Sequence, residues 1–441
     1  MKLRIAFALC LGLVGSTTAA DFEKEKLDNW HHWRGPLATG EAPKGDPPVQ
    51  WDEKTNVLWK APLKGKGSAT PIVWGDRVFV VTAEPTGRKV EPEKRPKVDP
   101  KFEKKTDAPD QYYRFIVMCF DRATGALKWE KIAAEQVPHE GTHQTHSYAA
   151  GSPTTDGTFL YVSFGSFGVF CYDFDGNLQW QREIGRMNTR LGWGEAVTPV
   201  IHGNALLLNW DQEAGSRLVC LNTKDGKTTW ETPRDEKTSW NTPMVVEHKG
   251  TTQVILNGTN RVRSYDLATG KAIWEVAGMT TNAIPSPLVK DGVAYVVSGY
   301  RGAASVAVPL DAKGEVADSK VLWRYNKGTP YVPSPLLLGN RLWFTQANTQ
   351  ALTILDLKSG KPLLAGERLP TVTSFYSSPA AAAGRIYFVD QRGTAVVLKD
   401  GDKIEVLATN RLPDAFDASP AIVGKQLFLR GEKYLWCIAA K

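Results

Sequence analysis

The sequence predicts an all-β fold, an eight-bladed β-propeller of four-stranded blades. Three observations support this prediction: a Ser/Thr-Pro dipeptide that occurs eight times, two kinds of turn at fixed places after it, and a tryptophan that follows most of the second turns. Four short alternating strands per unit, without a long helical pattern, are typical of one propeller blade. A repeat of this length therefore predicts one large domain rather than several small ones.

The dipeptide opens each unit and is followed by apolar residues, a hairpin turn and an alternating strand. Its eight occurrences are Thr70-Pro71, Ser152-Pro153, Thr198-Pro199, Thr242-Pro243, Ser286-Pro287, Ser334-Pro335, Ser378-Pro379 and Ser419-Pro420. From the second occurrence onward the prolines lie 41 to 48 residues apart, whereas the first interval of 82 residues contains an insertion at 84–113. Turn pairs such as Gly75-Asp76 tolerate the positive φ that tight hairpins need.

The second turn has an Asp-x-x-Thr-Gly form in its clearest copies, Asp121 to Gly125 and Asp266 to Gly270. A tryptophan follows it in most units, and we interpret this residue as the one that docks neighbouring blades. These tryptophans are Trp129, Trp180, Trp230, Trp274 and Trp323. The sixth and seventh units have Leu364 and Val406 near the expected place, which predicts weaker docking there.

The two ends of the chain predict how the ring closes. The last unit ends at 435–438 after three strands, and an orphan strand with its own tryptophan, at 57–60, precedes the first unit. Pairing this N-terminal strand with the C-terminal blade removes both open edges. We therefore predict a propeller over 56–441 and a lead-in segment over 21–55, whose three tryptophans favour packing on the propeller.

The first twenty residues predict a secretory signal peptide. Lys2 and Arg4 precede an apolar run at 5–14, and small residues lead to cleavage near Ala20. No later apolar run is long enough to predict a transmembrane segment. Leu9 before Cys10 argues against a lipid anchor. The expected location is periplasmic or secreted.

The net positive charge is concentrated in two short segments, which argues against a nucleic-acid partner. The formal net charge is +7, of which the leader carries two units and residues 88–105 carry four, with eight basic and four acidic side chains. About one unit then remains for the rest of the chain, too little for a broad basic surface. The Pro- and charge-rich insertion is either a solvated loop or a docking element for an acidic partner.

The four cysteines of the mature chain are expected to be buried free thiols. Cys119, Cys171, Cys220 and Cys437 each fall near the end of a strand at the same place in the repeat. Equivalent positions on different blades lie too far apart for a disulfide.

Three unusual segments predict the functional face. The insertion 84–113 and the loops 137–148 and 186–195 all join strands 2 and 3 of a blade or pass from one blade to the next, so they share one end of the channel. Elaborated loops on a rigid scaffold are where binding sites concentrate.

Loop 137–148 supplies the first candidate site residues: His139, Glu140, His143 and His146. The match to His-Glu-x-x-His predicts a zinc protease only on a helix, and Pro138 and Gly141 argue against one. A metal or anion site that uses the three histidines remains one alternative, and ordinary packing over the channel mouth remains the other. The metal prediction is therefore open.

Matching loops of later blades supply further ligand-binding candidates. They are Asn209, Asp211, Glu213, Arg301, Asn348, Asp390 and Arg392. These polar groups either ring a small-ligand pocket or solvate the channel rim.

The Trp-docked blades, the Asp-x-x-Thr-Gly turns and the lead-in sequence Trp33-Arg34-Gly35-Pro36 resemble the pyrroloquinoline-quinone-like (PQQ-like) repeat propellers. That superfamily includes quinoprotein alcohol dehydrogenases and the envelope propeller BamB. A dehydrogenase would imply PQQ beneath two adjacent bonded cysteines, a tryptophan floor, a calcium held by Glu and Asn, and an aspartate base. This sequence has no Cys-Cys pair. Asp211 and Glu213 are of residue types that can bind a metal ion.

We therefore expect a non-catalytic, BamB-like scaffold that binds an envelope protein partner. A PQQ-dependent dehydrogenase with calcium, or another enzyme that binds a small ligand or metal, is the alternative. No cofactor is predicted for the preferred interpretation, and the sequence leaves the ligand and the oligomeric state open.

Overall fold

The computed structural model describes residues 19–97 and 106–440 and has the predicted fold. Eight antiparallel blades of four strands surround a central channel, and in each blade the strand after the Ser/Thr-Pro dipeptide is innermost. The predicted signal peptide lies outside the described residues except for its last two. None of the helices in the described ranges is long and apolar enough to cross a bilayer.

Seven of the blades are formed by four strands that follow one another along the chain. Their strands, in chain order, are Ile72–Trp74, Arg77–Lys89, Gln111–Asp121 and Leu127–Gln136 in blade 1; Thr154–Thr155, Phe159–Ser163, Val169–Asp173 and Leu178–Arg182 in blade 2; Val200–His202, Ala205–Trp210, Arg217–Asn222 and Thr228–Pro233 in blade 3; Met244–His248, Thr251–Leu256, Arg261–Asp266 and Ala272–Ala277 in blade 4; Leu288–Lys290, Val293–Ser298, Ala304–Pro309 and Trp323–Arg324 in blade 5; Leu336–Leu338, Arg341–Thr345, Ala351–Asp356 and Pro362–Arg368 in blade 6; Ala380–Ala382, Arg385–Val389, Thr394–Lys399 and Val406–Arg411 in blade 7.

Blade 8 combines the two ends of the chain, as predicted. Its strands Ala421–Val423, Gln426–Arg430 and Tyr434–Ile438 are completed by Val57–Pro62, which pairs antiparallel with the last of them. Outside the blades, Thr106–Asp107 pairs with Thr142–His143, and Gly314–Glu315 adds a parallel strand to blade 4. The helical elements are the α-helix Ala19–Glu25 and the 3₁₀ turns Lys26–Asp28, Pro92–Lys94, Gly165–Phe167, Arg190–Gly192 and Asp318–Lys320.

The repeated Ser/Thr-Pro dipeptide forms a ring of hydrogen bonds around the channel. At seven of the eight blade interfaces in the described structure, the backbone N–H of one Ser or Thr donates to the hydroxyl oxygen of its counterpart in the next blade, at 2.9–3.2 Å. The donor and acceptor pairs are Thr70 to Ser152, Ser152 to Thr198, Thr242 to Ser286, Ser286 to Ser334, Ser334 to Ser378, Ser378 to Ser419 and Ser419 to Thr70. The hydroxyl is required because it accepts a buried N–H that no strand pairs.

The repeated tryptophan docks one blade onto the next at five of the eight seams in the described structure. Trp323, for example, lies on Gly360 in the second turn of blade 6, and its indole N–H donates to the carbonyl of Leu357 at 3.0 Å. A Cβ at this glycine would lie 2.5 Å from the ring, so only glycine fits. The other tryptophan and glycine pairs of this kind are Trp59 on Gly125, Trp129 on Gly176, Trp180 on Gly226 and Trp230 on Gly270.

Trp274 of blade 4 is an exception. Its indole N–H donates to the side chain of Gln253 within its own blade at 3.2 Å. Blade 5 has no short Asp-x-x-Thr-Gly turn, and its longer connection instead places Gly314–Glu315 beside Trp274 as an extra parallel strand. The seam between blades 4 and 5 is therefore covered by backbone pairing.

The lead-in segment packs on the propeller, across the end of the channel where the first strands end. Trp30 pairs with Val73 of blade 1, and Glu41 pairs with Ala381 of blade 7. The Arg34 side chain is buried in the middle of this segment and donates to the carbonyls of Pro335 and Pro379, each at 2.9 Å. This end of the channel is closed by the chain itself.

The insertion at 84–113 begins and ends as an extension of the hairpin of blade 1. Glu84 pairs with Arg114 and Lys89 pairs with Gln111, so the hairpin projects beyond the other blades. The four cysteines are buried and free, as expected.

Candidate functional site

A cavity of about 310 Å³ opens at the end of the channel opposite the lead-in segment. Three tryptophans and three tyrosines line it: Trp33, Trp193, Trp240, Tyr300, Tyr331 and Tyr376. Several of these rings contact one another. The centroids of Tyr300 and Tyr331 are 4.6 Å apart, and Trp193 meets Tyr300 edge to face at 6.4 Å. The walls are therefore formed mainly by apolar, rigid side chains.

One position of the repeat supplies a cavity residue in every blade. It is the residue two places before the Ser or Thr of the dipeptide, because each connection turns over the channel mouth just before it enters the innermost strand. These residues are Ser68, Ala150, Ala196, Trp240, Ile284, Val332, Tyr376 and Asp417. They are small in blades 1 to 3, where the long loops fill the space, and larger in most of the others.

The base of the cavity is the hydroxyl ring of the channel together with Trp33. Ser152, Thr198, Thr242 and Ser419 of the ring all line it. Trp33 belongs to the lead-in segment and so reaches the cavity from the closed end of the channel. A molecule that enters from the loop side meets an indole ring and hydroxyl groups at the bottom.

Asp417 is the one acidic side chain among the described residues that line the cavity. Its Oδ1 accepts a hydrogen bond from the Gln391 amide at 2.8 Å. Burial raises the pKa of its carboxyl above the usual range. Behind it, Arg430 is almost fully buried, and burial lowers the pKa of its guanidinium to about 10.

The three unusual segments that predict the functional face meet at this end of the channel. The strand Thr106–Asp107 of the insertion pairs with Thr142–His143 of loop 137–148. The Thr106 hydroxyl also donates to the carbonyl of Leu191 in the third segment at 2.8 Å. The prediction that these loops share one face is confirmed by these contacts.

The His-Glu-x-x-His match does not form a helix, so its two histidines do not share a helical face. His143 and His146 line the axial cavity, whereas His139 does not. The His139 ring contacts the Met187 carbonyl, with Nε2 at 2.6 Å from the oxygen. Burial lowers the pKa of His146 to about 4, and its Nε2 lies 3.1 Å from the carbonyl oxygen of Glu195.

The candidates of blade 3 form an internal network instead of facing the cavity. The Asp211 carboxylate binds the Arg234 guanidinium through two hydrogen bonds of 2.7 and 3.0 Å, and both side chains are fully buried. Asn209 donates to Ser239, and Glu213 accepts from the Thr238 hydroxyl at 2.7 Å; those partners lie in the connection to blade 4. These groups hold the loop that carries Trp240.

The remaining candidates lie at the rim. Asn348 accepts the backbone N–H of Val332 at 3.0 Å, and buried Asp390 accepts the N–H groups of its own turn, including that of Arg392. Arg301 and Arg392 are exposed. Arg301 packs on the ring of Tyr300, a cavity residue, with its guanidinium carbon 5.4 Å from the ring centroid.

Sequence reasoning missed the aromatic residues that line the cavity. The residues predicted from the sequence are mostly polar, and polar side chains next to the channel loops hold those loops in place. The available signal was positional: the residue two places before each Ser/Thr-Pro dipeptide varies from Ala to Trp while the dipeptide itself repeats. Trp240 and Tyr376 are identified by that rule.

Glu195 was also missed. Its Oε2 accepts the backbone N–H of Ser166 at 2.7 Å. Burial, and to a smaller extent the neighbouring Glu140, raise the pKa of the Glu195 carboxyl to about 8.

The cavity does not fit PQQ with calcium. PQQ is a tricarboxylate, so its site needs basic side chains, and no lysine or arginine is among the described residues that line the cavity. Asp211 and Glu213, the possible metal ligands noted in the sequence, are engaged by Arg234 and Thr238. The four buried cysteines are not among the lining residues either.

Comparisons with known proteins agree with the fold. The family described as outer membrane protein assembly factor BamB matches residues 44–190, 113–364 and 214–441. A search of curated proteins gave no match. BamB from Moraxella catarrhalis superposes with a TM-score of 0.52 at 11% identity, over 73% of this chain and 93% of that chain. The quinohemoprotein alcohol dehydrogenase from Comamonas testosteroni gives a TM-score of 0.47 at 12% identity, over 96% of this chain and 83% of that chain.

At 11% identity, the likeness to the Moraxella catarrhalis structure shows the fold alone. The family match is more informative because its three segments together span residues 44–441. The eight blades, the Trp-docked turns and the paired chain ends agree with it. The chain belongs to the BamB family of PQQ-like repeat propellers.

Proposed function

We propose that this chain is a non-catalytic binding propeller of the cell envelope, which holds a protein partner by seating an apolar or aromatic side chain of that partner in the axial cavity. The observation that carries the proposal is the cavity of about 310 Å³ with six aromatic side chains at the elaborated end of the channel. Its volume is at the lower end for a ligand pocket, which suits one or two side chains.

The polar groups around the cavity support a binding role rather than catalysis. Asp211 and Asp390 are hydrogen-bonded within the propeller, and neither lines the cavity. Asp417 remains as the carboxylate at the wall, and it already accepts a hydrogen bond. A protein anchor needs little more than rigid aromatic walls and a polar rim, because a few buried contacts dominate the affinity of an interface.

The envelope location is supported by the predicted signal peptide and by the family, whose description concerns outer membrane protein assembly. The hairpin of blade 1 adds a second contact surface. It projects beside the cavity and is held to the loop of His143 by backbone pairing. A partner that enters the cavity is therefore expected to contact the hairpin as well.

Photo-crosslinking from the two ends of the channel tests this proposal. A photoreactive phenylalanine replaces Thr145 at the exposed rim of the cavity, or Asn340 in an exposed hairpin turn at the closed end. In the producing cells we expect a distinct protein adduct from position 145 and none from position 340. Adducts from position 340 alone would contradict the proposal.

Variants of the cavity then test the purified complex with the crosslinked partner. We expect Trp240→Ala to raise the Kd by about 30-fold, as for an interface hot spot. Tyr376→Ala, at the exposed rim, tests the same wall with a smaller risk to folding. Phe22→Ala, a partly exposed aromatic residue that stacks on Trp74 at the closed end of the channel, is the control. Unchanged affinity in both cavity variants would place the partner elsewhere.

A further inference from the structure

A second, much smaller cavity lies beside the axial cavity, between the loop after blade 1 and the loop after blade 2. Its volume is about 10 Å³, close to that of one water molecule or one ion. Glu140 and Glu195 line it, together with apolar walls that include Phe164 and Phe167. His139 lies next to it, since its ring packs against Phe167.

Three ligand-type side chains converge at this small cavity. One ring nitrogen of His139 and one carboxylate oxygen from each of Glu140 and Glu195 lie within 4.8 Å of one another. Glu195 is 8% exposed, and its Oε1 has no hydrogen-bond partner among the described residues. The Nδ1 atom of His139 is likewise buried without a partner in the described part of the chain.

Neighbouring groups hold these side chains in place, and no lysine or arginine is among the described residues that line the small cavity. Thr189 donates its N–H and its hydroxyl to the Glu140 carboxylate, at 3.0 and 2.6 Å. Ser166 donates its N–H to Glu195 Oε2. The Nε2 atom of His139 lies 2.6 Å from the Met187 carbonyl oxygen and 3.9 Å from Glu195 Oε1, so the Met187 carbonyl holds the ring beside Glu195 and leaves Nδ1 as the ring nitrogen without a partner in the described residues.

An unpaired buried carboxylate is costly unless a proton or a cation neutralises it. Two carboxylates at one small cavity and an imidazole next to it offer a cation three ligand atoms from two loops. Carboxylate oxygen with imidazole nitrogen is a donor set for zinc and similar transition ions, whereas calcium and magnesium prefer oxygen alone.

We propose that His139, Glu140 and Glu195 bind one divalent transition ion of the zinc class, which clamps the loop after blade 1 to the loop after blade 2. The clamped loops carry His146, Trp193 and other walls of the axial cavity. The site does not include His143 or His146, so it differs from the three-histidine site that the sequence left open. It does not depend on the proposed partner.

The test measures zinc binding directly on the folded chain, prepared without a polyhistidine tag and stripped with EDTA. Calorimetric titration with ZnCl₂ is expected to show one ion per chain with a submicromolar Kd, and mass spectrometry of the dialysed protein is expected to show the same stoichiometry. CaCl₂ is expected to bind far more weakly. Zinc is also expected to raise the Tm of the wild-type chain.

Glu195→Gln is the decisive variant, because an amide keeps the shape and can still accept from Ser166 while it removes the charge. We expect its zinc affinity to fall by about 100-fold or more and its Tm to be insensitive to zinc. His139→Gln is expected to behave in the same way. Glu213→Gln and His202→Gln, which replace the same residue types outside the cluster, should bind zinc as the wild type does.

Several results would overturn the proposal. One is a folded wild-type chain that binds no zinc, which would mean that a shared proton neutralises the carboxylates. Another is zinc binding that survives in both Glu195→Gln and His139→Gln, which would place the ion elsewhere. Tighter binding of calcium than of zinc would contradict the predicted class of ion.

Discussion

The two ends of the channel are made of the same repeat but differ in what covers them. At one end the lead-in segment crosses the channel, and buried Arg34 donates to carbonyls of blades 6 and 7. At the other end the connections between blades stop at the rim and leave a cavity with aromatic walls. The first end holds the ring together, and the second is available to a ligand. Substitutions at the closed end should therefore change stability, and those at the open end should change binding.

Arg34→Ala is expected to have the largest effect on stability. It leaves the buried carbonyls of Pro335 and Pro379 without a donor among the described residues, removes one of the two donors to the Thr39 carbonyl, and opens a cavity under the lead-in segment. We expect the free energy of unfolding to fall by about 3–5 kcal/mol, measured by urea denaturation followed by tryptophan fluorescence. Arg182→Ala, at an exposed position, is the control and should change it by less than about 0.5 kcal/mol. Equal effects of the two would mean that the lead-in does not stabilise the ring.

Gly360→Ala tests the blade docking, which also lies at the closed end. Gly360 and Gly366 have φ values of 66° and 67°, but a Cβ at Gly360 would strike Trp323, whereas at Gly366 it would meet open space. Backbone strain is therefore matched, and the difference isolates the tryptophan contact. We expect Gly360→Ala to cost about 1–3 kcal/mol more than Gly366→Ala, as measured by the same denaturation. Equal losses would show that the docked ring can move aside.

Acid should weaken the closed end through its buried histidines. Burial, and then the charge of Arg34, lower the pKa of His32 from 6.5 to about 4, and its Nδ1 accepts the backbone N–H of Arg34. Between pH 6.5 and 4 the unfolded chain therefore binds a proton at this residue that the folded chain does not. Stability should fall as the pH falls through this window, by at most about 1.4 kcal/mol per pH unit for one histidine.

His32→Asn is expected to make this pH dependence shallower, because asparagine can still accept the Arg34 N–H and does not titrate. His31, whose pKa burial also lowers, would keep part of the slope. His202→Asn, in a more exposed position on blade 3, should leave the slope unchanged. Urea denaturation at pH values from 7 to 4 measures the slope of stability against pH. An unchanged slope in His32→Asn would assign the acid sensitivity to other groups.

Tyr376→Ala should have the smallest effect on stability, within about 0.5 kcal/mol of the wild type. Tyr376 is partly exposed, and its hydroxyl oxygen lies 3.0 Å from that of the exposed Thr145. The same variant is expected to weaken partner binding, so it separates the two ends most clearly. A large loss of stability would mean that the open end also holds the ring.

The repeat made the fold predictable, because the dipeptide, the turns and the docking tryptophans each perform one local task in every blade. The ring of Ser and Thr hydroxyls and the stacking of Trp323 on Gly360 are the physical reasons for those repeats. Trp274 shows the limit of the pattern. Its motif matches the others, but the longer connection of blade 5 changes what covers it.

The candidate site was less predictable, because it is built where repeats diverge. Asp211 is an obvious polar candidate in the sequence, but its partner Arg234 lies 23 residues away and only the fold brings the two together. Glu195 has no motif around it, and its role depends on its meeting His139 and Glu140 from another loop. Which polar groups remain unpaired is a property of the packed loops rather than of either segment.

The proposed function requires that the axial cavity receives a group from a partner and does not bind a quinone. Calorimetric titration of the purified chain with PQQ, with and without calcium, tests it most directly. The absence of basic side chains among the described lining residues predicts no saturable heat in either condition. Tight, calcium-dependent binding that is lost in Trp240→Ala would contradict this account and identify the cavity as a cofactor site.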